Sequence, residues 1–162
     1  MKNTIDLRNP VRIQVERKGE IIHDFEIMNG VTDVGMNYLL GASFDAVTAI
    51  TSWYLGLIDN VGYSALAAAD TMASHAGWAE NADYDEATRP EWAPAAPSAR
   101  AVANTTTVDF TINDTVALRG VFINSVNTIS GTLGTLWATA LFGSTLNLVT
   151  SDILKITYTV SG

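Results

Sequence analysis

The 162-residue sequence predicts a mainly β protein: an antiparallel β-sandwich of jelly-roll or immunoglobulin-like order, with one or two short helices and a short N-terminal arm. Three observations carry that prediction. Apolar and polar residues alternate with period two through Val11, Ile13 and Val15, and again through Ile21, His23, Phe25 and Ile27. β-branched and aromatic residues gather in short runs such as "TVALRGVFIN" and "GTLWATALF". Turn-forming Gly, Asn, Asp and Ser separate these runs. A chain of this length suits one domain with a sizeable core, and the expected organisation is an arm of residues 1–9 followed by a single domain of residues 10–162.

The arm lacks a clear period and ends at Pro10. The first two strands form a hairpin, and a three-residue "RKG" loop pairs Val15 with Ile21 and Val11 with Phe25, with Arg12 opposite Asp24 on the other face. A two-residue "KG" loop would set Ile13 against Asp24 and Val11 against Glu26, so the apolar pattern favours the longer loop. In "NGVTDVGMNYLLG" the period changes: Thr32 or Asp33 caps a short helix, Met36, Leu39 and Leu40 share a face, and Gly41 stands where the helix should stop. "TAITSWYLGLID" reads as a central strand. Asp70 is placed to cap a second short helix, "TMASHA", ended by Gly77. Residues 77–100 hold three of the 4 prolines and read as a long loop with its own anchors. Four strands follow in "TTTVDFTI", "TVALRGVFIN", "GTLWATALF" and "DILKITYTV", the last two separated by "GSTLNLVTS".

Charged residues make up only 16% of the chain against 48% hydrophobic ones, a shortage of solubilising charge that hints at assembly with other subunits. The net charge of −8 disfavours nucleic acid and anionic membranes as partners and favours a basic protein surface. With no cysteine, a disulfide framework and thiolate metal sites are excluded. The N-terminal stretch has no apolar core of a signal peptide, and no run is long enough to span a bilayer, so neither export nor membrane insertion is expected.

Catalysis finds little support. Ser74 and His75 are sequence neighbours whose side chains diverge on a helix, and no nucleophile-elbow motif is present. His23 falls on the apolar face of the hairpin, as a core or interface residue. Asp83, Asp85, Glu86 and Glu91 offer hard oxygen ligands, but without the spacing and glycine of an EF-hand loop, and no metal or other cofactor is expected. Nothing in the sequence sets two of these acids across a cleft, as glycoside hydrolysis requires. The candidate functional residues are instead partner-binding ones in the loop: Trp78, Tyr84, Asp85, Glu86 and Trp92. The alternative for Trp78 and Trp92 is that they pin the loop to its own sheet, and Trp137, in an alternating strand, reads as core or intersubunit packing.

The phrases "NGVTDVGMNYLLGASF", "WYLGLID", "ADTMASHAGWAENADYDEATRPEW", "RGVFI", "GTLWATALF" and "DILKITYTV", in this order, resemble a family of small structural proteins of tailed-bacteriophage virions. The resemblance covers nearly the whole chain. Its most specific part is Asp70 to Trp92, and Ser151 departs from the pattern where Gly is expected. It implies a virion component without enzymatic activity, made in the host cytoplasm. Within the family the single module with a short arm points to a capsid decoration (cement) protein on the outer head surface, with the major capsid protein and further copies of itself, as a homotrimer, for partners. The alternative is a tail, collar or fibre component whose tryptophans contact host glycans.

Overall fold

The computed structural model describes residue 7 and residues 9–162. Over the described residues the chain is mainly β, with one helix and an antiparallel sheet curled into a half-barrel, a sandwich-like arrangement. In chain order the elements are β1 (Pro10–Arg17), β2 (Glu20–Val31), α1 (Asp33–Phe44), β3 (Trp53–Asp59), β4 (Glu80–Asn81), β5 (Glu91–Trp92), β6 (Ala101–Ala103), β7 (Val108–Thr111), β8 (Val116–Asn124), β9 (Leu136–Leu148) and β10 (Ile153–Ser161). The sheet runs β4-β3-β8-β9-β2-β1-β10-β6, with β5 also on β3 and β7 also on β10. The arm expected over residues 1–9 lies outside the described residues except for Leu7 and Asn9, and Asn9 is buried with its carbonyl accepting the Asn29 amide at 3.2 Å.

The hairpin register corrects the expected one. Lys18 and Gly19 both take positive φ, 53° and 83°, which makes a two-residue turn whose twist matches the strands, and Arg17 pairs with Glu20. A bulge then restores the apolar pairing: Glu16 faces Ile21 but Val15 faces His23, so Ile22 is the extra residue. Beyond it Ile13 meets Phe25 and Val11 meets Ile27. Arg12 sits opposite Glu26 yet reaches diagonally to Asp24, donating through Nε at 2.9 Å and Nη2 at 2.6 Å. His23, expected on the apolar face of the hairpin, pairs with the buried Val15 but is itself exposed.

The helix starts as expected, with the Thr32 hydroxyl accepting the Gly35 amide at 3.0 Å. It runs past Gly41 to Phe44, and Asp45 is the C-cap. Gly41 is needed for another reason: a Cβ there would crowd Val47, whose chain folds back with its amide 3.3 Å from the Gly41 carbonyl. The second helix expected at "TMASHA" is a turn, with Thr71 and Ser74 exchanging backbone hydrogen bonds at 3.0 and 3.1 Å. Residues 143–148, read as a loop, continue β9, because Leu146 and Leu148 return to the core opposite Leu118 and Val116.

The main core fills the curl: Val11, Ile13 and Val15 of β1, Leu55 and Leu57 of β3, Val121 and Ile123 of β8, and Leu154 and Ile156 of β10. A second cluster lies on the opposite face of β3 and β8, where Ile58 and Phe122 meet Leu136, Met72 and Trp78. β3 and β8 are therefore buried on both faces, which explains their unbroken apolar runs "LGLI" and "GVFI".

Candidate interaction surface

The carboxylate-rich stretch from Asp70 to Trp92 crosses from one face of the sheet to the other, and its side chains explain how. Trp78 plugs the second cluster against Phe122, ring centroids 5.1 Å apart. Its indole nitrogen donates to Asp70 at 3.0 Å, and the other side of that turn is held by the Ala67 amide donating to the same carboxylate oxygen at 2.9 Å. His75 stacks on Trp78 at 3.9 Å and its Nδ1 lies 3.0 Å from the Trp78 carbonyl. Histidine and serine thus remain apart in function: His75 closes a turn, and Ser74 is exposed.

Past this plug the chain lays β4 and β5 along the edge of β3, so the edge backbone groups are paired rather than open. Tyr84, between the two strands, and Trp92, in β5 itself, turn into the main core. Tyr84 packs edge-to-face on Phe110 at 5.0 Å, and burial, with the nearby Glu80 charge, holds its phenol well above the ordinary range. Trp92 packs on Tyr158 at 5.6 Å and donates to the Tyr158 carbonyl at 3.0 Å, bridging β5 to β10 across the open side of the half-barrel. Glu86 accepts the Thr111 amide through both carboxylate oxygens at 3.1 Å. Asp85 is exposed, its backbone amide bonded to the Thr111 carbonyl at 2.9 Å.

Of the five loop residues singled out from sequence, three are therefore internal. Trp78 and Trp92 are 4% and 6% exposed, and Tyr84 is equally buried, so their rings are anchors into this chain's own sheet and present no face to a partner. Asp85 is open to solvent and Glu86 half-buried. Trp137, expected in packing, is buried in the main core.

Two residues that organise the loop were not found from sequence. Arg89 is buried, and its guanidinium pairs with both oxygens of Glu80 at 2.8 and 2.7 Å and donates to the carbonyls of Val126 and Gly131 at 2.8 and 3.2 Å. Glu80 also accepts the Ser130 amide at 2.7 Å, so one ion pair stitches β4 and the loop to residues 126–131. The available signal was that Arg89 is the first lysine or arginine after Lys18, alone among acids. Asn104 is the other: it accepts the Tyr158 amide at 2.7 Å and donates to the Ile156 carbonyl at 3.0 Å, and a lone Asn in a loop carries no sequence signal for that.

What the body leaves uncovered lies elsewhere. Phe44 is 86% exposed and Leu40 49%, one helical turn apart on α1, with the exposed Val47 beside them. Ile21, Ile22 and Met28 are exposed along β2. The edge of β2 from Glu20 to Met28 has β1 on one side and, among the described residues, no strand on the other, since β9 pairs only with Asn29–Val31. A separate apolar hollow of about 180 Å³, walled by Tyr38, Trp53, Trp92, Trp137 and Tyr158, opens beside the inner side of α1. Among the described residues no group of three or more His, Cys, Asp or Glu side chains is placed to hold a metal ion. Compared with known proteins, the chain matches no family model, no curated protein and no solved structure.

Proposed function

We propose that this chain is a structural protein of a tailed-bacteriophage virion, a capsid decoration protein that binds the outer head surface and braces capsomer junctions. The observation that carries this reading is the uncovered apolar helix face of Leu40 and Phe44, on a body whose long loop turns its own aromatics Trp78, Tyr84 and Trp92 inward. Aromatic and aliphatic side chains at such exposure mark a surface that a partner covers. The likeness of the phrases around this helix and of Asp70 to Trp92 to small phage structural proteins supplies the identity of the partner, the major capsid protein.

The reading is non-catalytic. Asp70, Glu80 and Glu86 are engaged as staples, holding an indole, a guanidinium and a backbone amide, which is the work of a rigid brace. In a pressurised head each bound copy adds intersubunit contact that expansion has to break, and symmetry repeats modest contacts into avidity. Copies associate with one another as a trimer in this reading, without nucleic acid or membrane. The alternative, a tail, collar or fibre component reading host glycans, drew on Trp78 and Trp92, and the burial of both rings weakens it.

The test is the copy number of the chain in purified virions, by quantitative mass spectrometry against the major capsid protein. About one copy per capsid subunit, or about one per three, is the expected result, since a lattice protein follows the symmetry of its lattice. A ratio below about one in thirty, the stoichiometry of a portal or tail ring, overturns the head assignment.

A further inference from the structure

The outer face of α1 is apolar along three successive turns: Met36, Leu40 and Phe44 stand at i, i+4 and i+8, and Val47 extends the patch past the helix end. The inner face is fixed. Thr32 caps the helix and its hydroxyl also donates to the Leu136 carbonyl, while Gly35 lies so close to the Trp137 carbonyl that a Cβ would overlap it. The helix is therefore pressed onto β9 and cannot roll to hide Phe44. A preorganised helix of this kind loses little freedom on docking.

Charge decides what covers it. Between Lys18 and Arg89 the chain has no lysine or arginine and eleven carboxylates, from Glu20 to Glu86, and two of them, Asp33 and Asp45, bracket α1. A second copy laid on the same face, parallel or antiparallel, brings acids to acids. Few cations are left to answer them among the described residues: Arg12, Arg17, Arg89 and Lys155 pair with carboxylates of the same chain, and Arg119 donates to the Phe142 carbonyl, leaving Lys18 and Arg100 uncommitted.

We infer that α1 is the capsid-docking element, inserting Leu40 and Phe44 into an apolar groove on the capsid protein whose rim carries lysine or arginine opposite Asp33 and Asp45. This rests on the reading of the chain as a head protein and names the surface and the partner chemistry that reading leaves open. Any trimer contact then lies on another face.

The experiment uses the full-length chain, added to virions that lack it, with the bound fraction measured by sedimentation and mass spectrometry. Phe44→Asp and Leu40→Asp are compared with wild type, and both are expected to lose binding at least about ten-fold, the scale of removing a central anchor. Because Phe44 is almost fully exposed, its variant is expected to melt with the wild type, and Leu40→Asp provides the second reading. Wild-type binding that both folded variants retain overturns the docking assignment and leaves the head reading standing. Wild type that neither rebinds nor occurs in virions overturns both. A wild-type oligomer in free solution that Phe44→Asp dissociates also overturns it, since the occupant is then a second copy.

Discussion

Arg89 shows how a single residue can hold a loop that composition describes only as acidic. Its guanidinium is fully enclosed, its charge is met by Glu80, and the remaining donors go to backbone carbonyls, which is the arrangement a buried cation requires. Arg89→Ala leaves Glu80 buried without its counter-ion and is expected to cost about 3–5 kcal/mol, a large share of the roughly 5–15 kcal/mol of a typical domain. Urea titration measures it, and a midpoint equal to wild type sinks the account. Replacing the pair together, Arg89→Met with Glu80→Gln, is expected to cost less than the single change, because no uncompensated charge remains. Gly35 is the other position where one atom decides: in Gly35→Ala the added methyl meets the Trp137 carbonyl, so α1 has to lift from β9 and the melting temperature should fall by several degrees.

Among the elements, the β1–β2 hairpin joins a strained turn to an ion pair directly beside it. Lys18 occupies a left-handed conformation that asparagine tolerates better, so Lys18→Asn is expected to stabilise by about 0.5–1 kcal/mol. Thermal unfolding reads that directly, and a lower melting temperature contradicts it. Arg17, the last residue of β1, donates to both oxygens of Asp152 at 2.7 Å, tying the hairpin to the turn before β10. That hydrogen bonding, assisted by the Val149 amide and opposed by burial, holds the Asp152 carboxyl below its ordinary value. The unfolded chain therefore takes up a proton at higher pH than the folded one. The stabilisation is complete above about pH 4, the unfolded carboxylate range, and is lost as pH falls through the lower folded value. Asp152→Asn should flatten the acid limb of stability against pH, and a limb as steep as wild type's removes Asp152 as its source.

For the whole molecule, the segregation of charge makes binding to a basic surface dependent on ionic strength. Contacts made by exposed acids such as Asp33, Asp45 and Asp85 are screened over about 8 Å at physiological salt, so under the proposed capsid-docking reading the affinity is expected to fall several-fold when salt is raised to molar concentration. Affinity that stays constant across that range assigns the binding to Leu40 and Phe44 alone. The internal fit of the molecule also explains its two-sided β3 and β8: the long loop is a cover whose Trp78 and Met72 close one face while Tyr84 and Trp92 close the other.

Much of this architecture is written locally. Period-two alternation places Val11, Ile13 and Val15 inside, Thr32, one of the two residues expected as a cap, caps the helix, and the four C-terminal runs become β7 to β10. These signals survive because each depends on neighbours within a turn or two of chain. The hairpin register does not: a plain two-residue loop misplaces Asp24 and Glu26, but a two-residue turn with a bulge at Ile22 also sets apolar residues opposite apolar ones, pairing Ile13 with Phe25 and Val11 with Ile27 instead of the expected Val11 with Phe25, and local pattern cannot distinguish the two. The loop was legible as anchored and aromatic, whereas which aromatics point inward depends on where β3 and β10 leave gaps, a matter of contacts remote in sequence. For the same reason the exposed face of α1 could not be read from its composition. Met36, Leu39, Leu40 and Phe44 are all apolar, and only the placement of β9 against Gly35 decides that Leu39 packs inward while Leu40 and Phe44 face out.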